Sequence, residues 1–286
     1  MGSGSWTSSA YVKHSTTSRG FTSMDEFKAA SAQELYRSTH MDPALNPNGV
    51  IRECCDSEEH PYTKPVILAL DVTGSMGSAA EAVAKQLNDI MTSAYEKVQD
   101  VEFMTMAIGD LSYDDSPIQA SQFESDIRIA EQLEKVYFEG SGGGNSWESY
   151  TAAWYFGLHR TKLDAFDNRG QKGLIITIGD EPLNPYLPAG ALAKALGIKV
   201  QGDVETPELY REVCEKFNIW HIGFKDNETS YDWYKQAGKL KGWQELLGDH
   251  FVEANAQTLA QIIADIIDKS FNDTGIINVT NEGIGW

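Results

Sequence analysis

The stretch PVILALDVTGSMGSAAEAVAKQL, residues 65–87, decides the fold of this chain. It begins as a continuous apolar run that ends in an acid, Asp71, and then turns through Thr73 and Ser75. An uninterrupted apolar run is typical of a parallel strand that is buried on both faces of a sheet. From Ser78 onward, apolar side chains recur at helical spacing for about five turns. The stretch therefore predicts a buried strand, a tight polar turn and a long helix.

The same alternation of apolar strands and amphipathic helices continues along the chain. Helices are predicted between the strands, as in repeated βαβ units. The pattern predicts an α/β fold with a doubly wound, mostly parallel sheet flanked by helices, similar in layout to a Rossmann fold. Further strands are expected at residues 101–110, 172–180, 218–224 and 250–254, with a short edge strand at 117–123.

The two ends of the chain differ in composition from this central region. Residues 1–60 are rich in Ser and Thr and weakly periodic, and we expect an N-terminal extension, partly disordered or packed on the domain. Within it, residues 24–38 are predicted to form one amphipathic helix. The α/β domain is expected to span residues 61–270, and residues 271–286 are expected to form a C-terminal tail.

Charge and composition exclude several classes of function. The formal net charge is −19, and a surface this acidic repels phosphate, so nucleic acid is not an expected partner. No apolar run approaches the roughly 20 residues that a membrane-spanning helix needs, so no membrane association is expected. The N-terminus lacks the apolar core of a secretory signal, and three scattered cysteines form no disulfide framework. These features favour a cytoplasmic protein.

Polar residues follow the predicted strands at the places where such sheets bind ligands. In doubly wound sheets, ligands bind beyond the carboxyl ends of the strands, where the strand order reverses. Asp71, Thr73 and Ser75 follow the first strand, Asp180 ends a later strand, and the glycine-rich EGSGGGNSWES, residues 139–149, opens a helix. Hydroxyl and carboxylate groups without His or Cys form a hard oxygen site, which Mg²⁺ prefers.

The sequence DVTGSM, residues 71–76, resembles the opening motif D-x-S/T-x-S of the von Willebrand factor A (VWA) domain. The resemblance covers roughly residues 62–270 and implies a metal-ion-dependent adhesion site that holds Mg²⁺ or Mn²⁺. It implies that Asp71, Thr73 and Ser75 are first-loop ligands, and that Asp180 is the third-loop acid, which often holds the metal through water. It further implies a non-enzymatic module, in which an Asp or Glu of a partner protein completes the coordination.

The second loop departs from the adhesive pattern of this family. GGGNSWES is similar to the GGGD-x-x-E loop of intracellular and alpha-kinase-linked members, with Asn145 in the Asp position. Either Asn145 or Ser146 could supply the second-loop oxygen, and the sequence leaves this choice open. SYDDSP, residues 112–117, resembles the loop that those members carry after their second strand. The resemblance therefore points to intracellular and prokaryotic members, which often work beside AAA+ ATPases.

A simpler interpretation assigns the same residues to helix capping and turns. Asp71 could cap the following helix, with Thr73 and Ser75 as additional caps. Asn145 and Ser146 would then be ordinary turn residues. Other acids near these segments are expected to be capping or surface residues: Glu148, Glu181, Asp110, Asp114 and Asp115.

A serine hydrolase is the alternative function. Ser75 lies on a predicted strand-to-helix turn, as a nucleophile does, and a triad of Ser75, Asp180 and His221 has a plausible order in the chain. The nucleophile elbow G-x-S-x-G requires Gly at position 73, where this chain has Thr. For His221, the simpler interpretation is a strand residue packed beneath a loop.

Overall fold

The computed structural model describes residues 4–139, 147–226 and 231–272, except for the side chain of Ser75. The strands are β1 (Arg52–Cys54), β2 (Lys64–Asp71), β3 (Val101–Ile108), β4 (Ile118–Ala120), β5 (Thr161–Leu163), β6 (Gly173–Gly179), β7 (Tyr186–Leu187), β8 (Val204–Glu205), β9 (Phe217–Phe224) and β10 (Phe251–Ala254). The helices are α1 (Ser8–Lys13), α2 (Met24–Ala29), α3 (Ala32–Leu35), α4 (Gly77–Lys97), α5 (Arg128–Leu133), α6 (Thr151–Arg160), α7 (Asp164–Arg169), α8 (Ala189–Leu196), α9 (Thr206–Val213), α10 (Tyr231–Gln236), α11 (Lys241–Leu247) and α12 (Leu259–Asn272).

The main sheet has six strands in the order β10-β9-β6-β2-β3-β4. All neighbouring strands are parallel except β4, which pairs antiparallel with β3. From β2 the chain moves to β3 in one direction, whereas β6, β9 and β10 extend in the other, so the strand order reverses between β2 and β6. The predicted fold class, a doubly wound and mostly parallel α/β sheet, is confirmed.

Strand β2 forms the centre of the sheet because its side chains are apolar on both faces. Val66, Leu68 and Leu70 join one core cluster, which includes α4 and α12. Ile67 and Ala69 join the other, which includes α6, α9 and α11. The alternation of side chains along a strand thus fills two separate cores, which explains why the sequence of β2 is apolar without interruption.

Helix α4 follows β2 through one 3₁₀ turn, Gly74–Met76, and runs for 21 residues. Its buried residues include Val83, Leu87 and Ile90, which lie on the stripe that the sequence spacing predicts. The helix covers the sheet next to α12 and holds the preceding turn at the carboxyl edge of the sheet. None of the helices in the described ranges has both the length and the apolar character that crossing a bilayer requires.

The segment before β1 packs along α4 and contributes to the same core. The Tyr11 hydroxyl donates to the carbonyl oxygen of Ala84 at 2.8 Å, and the Tyr36 hydroxyl donates to that of Ala80 at 2.9 Å. The side chain of Phe27 is 1% exposed within this core. The described part of this segment is therefore integrated with the α/β body, although the boundary at residue 60 stays a prediction.

The prediction of a single helix over residues 24–38 is wrong. The structure has two short helices, α2 and α3, and Ala30 between them is extended, with ψ 145°. Ser31 begins α3 with a capping box, in which its backbone N–H donates to Glu34 Oε2 at 2.8 Å. A capping box satisfies two backbone donors at the start of a new helix, so it favours a break at this position.

Four short strands were not predicted. β1 pairs parallel with β5, and β7 pairs antiparallel with β8. Each of these strands has only two or three residues, which is too short for a period-two pattern to be recognised. These pairs lie outside the main sheet.

Replacing Phe27 tests whether the N-terminal segment is part of the cooperative fold. Phe27→Ala leaves a cavity in the core, and we expect it to lower the free energy of unfolding by about 3–5 kcal/mol. The control is Val12→Ala in the same segment, where the side chain is 43% exposed and the expected change is within about 0.5 kcal/mol. Urea denaturation measures both. Equal stabilities for the two variants would contradict the integration of this segment.

Candidate metal centre

Asp71 ends β2 and is fully buried at the carboxyl edge of the sheet. Its Oδ1 accepts hydrogen bonds from the Thr73 backbone N–H at 2.9 Å and from Thr73 Oγ1 at 2.6 Å. Its Oδ2 accepts a hydrogen bond from the Tyr150 hydroxyl at 2.6 Å. Both carboxylate oxygens are therefore oriented by named donors, as a buried polar group requires.

The Thr73 hydroxyl donates its single proton to Asp71 and so presents only lone pairs to any other group. Its side chain forms no capping hydrogen bond to the 3₁₀ turn that follows. The backbone bond from Thr73 to Asp71 is a local turn interaction, as the capping interpretation would have it. The hydroxyl bond to the same Asp71 oxygen is equally local, and it leaves the lone pairs of Thr73 Oγ1 available to a cation.

Asp180 directly follows β6, the strand next to β2, and is fully buried. Because the strand order reverses between these two strands, Asp71 and Asp180 lie at the switch point of the sheet. Burial, followed by the charge of Asp180, raises the pKa of Asp71 to about 7. The structure thus brings Asp71, Thr73 and Asp180 together, whereas Asn145, Ser146 and the Ser75 side chain lie outside the described residues.

More acids lie at this edge than the sequence analysis anticipated. Glu148 and Asp110 were expected to be capping or surface residues, and neither lies at the surface, because they are 3% and 2% exposed. Asp110 Oδ1 accepts a hydrogen bond from the Ser112 backbone N–H at 2.7 Å, as a capping or turn residue does. Burial and the nearby carboxylates, Asp71 first among them, raise the pKa of Glu148 to about 11. Burial also raises the pKa of the partly buried Glu181 to about 8, with a further contribution from Asp71.

Two of the buried carboxyl oxygens at this edge have no hydrogen-bond partner among the described residues. Glu148 Oε2 and Asp110 Oδ2 accept no hydrogen bond within the described part of the chain. A buried carboxylate oxygen without a donor carries a desolvation cost that a proton or a cation would relieve. The site therefore has more buried carboxyl oxygens than its described hydrogen-bond donors satisfy.

Tyr150 is a site residue that the sequence analysis missed. Besides donating to Asp71, its hydroxyl oxygen accepts a hydrogen bond from the Glu181 backbone N–H at 3.3 Å. A Cβ at Gly179 would lie 2.2 Å from that oxygen, so only glycine leaves room for it. Tyr150 thus links the ends of β2 and β6. No motif at position 150 indicates this role, because the contact spans 79 residues of sequence.

His221 has a packing role in the structure. Its ring stacks on Trp243 with the centroids 3.6 Å apart, and its Nδ1 lies 2.7 Å from Thr177 Oγ1. Burial lowers its pKa well below the ordinary value, so the imidazole stays neutral. This environment matches the simpler interpretation of His221 and gives the hydrolase hypothesis no support.

The donor chemistry fits a hard cation that keeps water ligands. Within the described ranges, no group of three or more His, Cys, Asp or Glu side chains could hold a metal by itself. The oxygen-bearing side chains of the candidate site that the structure describes at this edge are two carboxylates and one hydroxyl, from Asp71, Asp180 and Thr73. Mg²⁺ accepts such a partial set, because it is commonly bound through one or two carboxylates and retains several waters.

In comparisons with known proteins, no family model and no curated protein matches the chain. Among solved structures, it is similar to the pilus adhesin SpaC from Lactobacillus rhamnosus GG in its open conformation, with 14% identity, a TM-score of 0.49, and coverage of 78% of this chain but 31% of the adhesin. It is also similar to BatB from Bacteroides thetaiotaomicron (14%, TM-score 0.45, covering 72% and 98%) and to the SpRpn10 VWA domain (12%, 0.41, covering 75% and 99%). These scores lie below 0.5, so we derive no function from them.

Removing the Tyr150 hydroxyl tests its role in holding Asp71. Tyr150→Phe deprives Asp71 Oδ2 of its donor, and we expect a loss of about 1–3 kcal/mol in the free energy of unfolding. The control is Tyr155→Phe within α6, the helix that Tyr150 precedes, since the Tyr155 hydroxyl forms no hydrogen bond within the described residues and its removal should change little. Urea denaturation without divalent metal measures both. A Tyr150→Phe variant as stable as Tyr155→Phe would refute the assignment.

Proposed function

We propose that this chain is a divalent-metal-dependent protein-binding module. Mg²⁺, or Mn²⁺, would be held by Asp71, Thr73 and Asp180, with Ser75 and either Asn145 or Ser146 completing the protein ligands. The bound cation supplies an open coordination position for an Asp or Glu side chain of a partner protein. The observation that carries the proposal is the meeting of two buried carboxylates with a hydroxyl whose proton is already donated.

The electrostatics of the site support a cation. Asp71 and Asp180 are both fully buried, and the charge of Asp180 opposes ionisation of Asp71. Two like charges in a region with little water destabilise each other unless a proton or a positive ion lies between them. At neutral pH, a divalent ion offsets both charges while the fixed hydrogen bonds from Thr73 and Tyr150 keep Asp71 oriented.

The overall charge also bears on the partner. A chain with a net charge of −19 repels an acidic partner at long range, so direct contact between carboxylates is unfavourable. A carboxylate of the partner that coordinates the bound cation would be attracted locally in spite of this long-range repulsion. Binding of an acidic residue should therefore depend strictly on the metal. A cytoplasmic AAA+ ATPase system is the setting that the sequence resemblance implies for such a partner.

A magnesium titration tests the proposal directly. At a hundredfold excess over the dissociation constant, a ligand that binds only the folded state adds about 2.7 kcal/mol of stability. We therefore expect the melting temperature of the wild type to rise by roughly 5–10 °C. Asp71→Asn should abolish this rise, because the amide removes a ligand charge while keeping the shape of the side chain.

The control variant is Glu208→Gln, which removes one exposed acid from α9 and should respond to Mg²⁺ like the wild type. Equal responses of Asp71→Asn and the wild type would refute the metal site. A fluorophosphonate probe addresses the alternative, since covalent labelling of Ser75 would indicate a hydrolase instead.

A further inference from the structure

A cleft of about 530 Å³ lies beside the turn that carries Thr73. Residues 32–39 of the N-terminal segment form one wall, and Tyr137 and Phe138 line the opposite side. Thr73, Gly74 and Gly77 also line it, so the cleft is continuous with the candidate metal centre. Its volume falls within the range of about 300–1,000 Å³ that is typical of ligand pockets.

The walls of this cleft are fixed to the rest of the domain. The Tyr36 hydroxyl donates to Ala80 of α4, and Ser38 Oγ donates to the carbonyl oxygen of Lys135 at 2.9 Å. The rings of Tyr36 and Phe138 pack with their centroids 4.5 Å apart, which joins the two walls at the base. A ligand would therefore enter a preformed cleft and would pay little cost in ordering it.

The charge of the cleft differs from that of the whole chain. Among the described residues, Arg37 is the only charged one that lines the cleft, and none of the described lining residues is an acid. The guanidinium is exposed and donates to the carbonyl oxygens of Glu34 at 2.9 Å and Arg19 at 3.1 Å. Arg37 forms no ion pair with a carboxylate in the described ranges. The hydrogen bonds from Ser31 lower the pKa of the exposed Glu34, which is near enough that the Arg37 charge adds to this effect.

We propose that this cleft binds an extended, acidic peptide segment of the partner protein. One Asp or Glu of the segment reaches the metal centre past Thr73, a second acidic residue pairs with Arg37, and an apolar side chain between them packs on Phe138. The inference rests on the proposed function and names the partner's form. On a protein with a net charge of −19, an acidic segment finds its complement here because the lining carries one positive and no negative charge.

An extended segment suits the shape and polarity of the lining. Successive residues of an extended chain advance by about 3.3 Å. Two acidic residues separated by a few positions would therefore reach from the turn that carries Thr73 to the wall that carries Arg37. Gln33, Ser38 and Thr39 offer side-chain hydrogen-bonding groups to a peptide backbone, and the aromatic rings offer apolar contact. The N-terminal segment would thus determine which acidic sequences the metal centre accepts.

The test uses an array of synthetic 12-residue peptides with a fixed central Asp or Glu, matched to the same peptides with Asn or Gln. Peptides that bind the full-length wild type in Mg²⁺ are then measured by fluorescence anisotropy. We expect Arg37→Glu to weaken binding of the selected acidic peptides roughly tenfold or more, and Phe138→Ala to weaken it as well. Both variants should keep the wild-type rise in melting temperature with Mg²⁺.

The matched control is Arg211→Glu, which makes the same charge change at an exposed position of α9, on the other face of the sheet. It should bind the peptides like the wild type. Unchanged binding by Arg37→Glu and Phe138→Ala would overturn the assignment of the cleft while leaving the metal site intact. The same conclusion would follow if no acidic peptide bound a wild type that responds to Mg²⁺. Arg37-dependent binding that survived chelation would overturn the other part of the proposal, in which one acidic residue of the peptide reaches the metal centre. A wild type with no Mg²⁺ response would instead refute the proposed function.

Discussion

The carboxylate of Asp71 at the end of the central strand imposes the constraint on which the rest of the site depends. A charged group in that position has lost its water, and it is tolerated only when donors or a counter-charge surround it. The chain supplies Thr73 from its own turn and Tyr150 from the start of α6. These bonds fix the direction of the carboxylate, and they draw the turn, the helix start and the end of β6 into one small region.

Several features of the fold follow from this requirement. Gly179 leaves room for the Tyr150 hydroxyl, and the strand reversal between β2 and β6 places Asp180 beside Asp71. Glu148 adds a further buried carboxyl group, and burial together with the charge of Asp71 raises its pKa to about 11, so that it keeps its proton when no cation is bound. A cluster of buried carboxyl groups at a switch point is more easily understood as the surroundings of a cation than as a contribution to stability.

Part of the fold and part of the candidate site could be predicted from the sequence. The physical reason why a feature was predictable differs from one feature to the next. β2 was recognisable because residues 65–70, which precede Asp71 and are buried on both faces of the sheet, are all apolar. The proximity of Asp71 and Asp180 followed from the rule that parallel strands end at one edge. The break at Ser31 was also visible in principle, since Ser31 and Glu34 have the S-x-x-E spacing of a capping box.

Other features depend on contacts between distant parts of the chain, which local patterns do not encode. The burial of Glu148 and Asp110 depends on how the loops after β3 and before α6 cover each other, as in the hydrogen bond from the Leu111 backbone N–H to Ser149 Oγ at 3.0 Å. The bond from Tyr150 to Asp71 similarly requires the whole sheet to be assembled. A rule based on the spacing of residues along one turn cannot identify pairs that are far apart in sequence, such as Tyr150 and Asp71.

The most direct measurement is a crystal structure grown with Mn²⁺, with data collected so that anomalous scattering locates the ion. The metal-centre hypothesis predicts one strong anomalous peak within coordination distance of Thr73 Oγ1, bounded by the carboxylates of Asp71 and Asp180. It would be contradicted by ordered side chains of Asp71, Thr73 and Asp180 with only water between them at a saturating Mn²⁺ concentration.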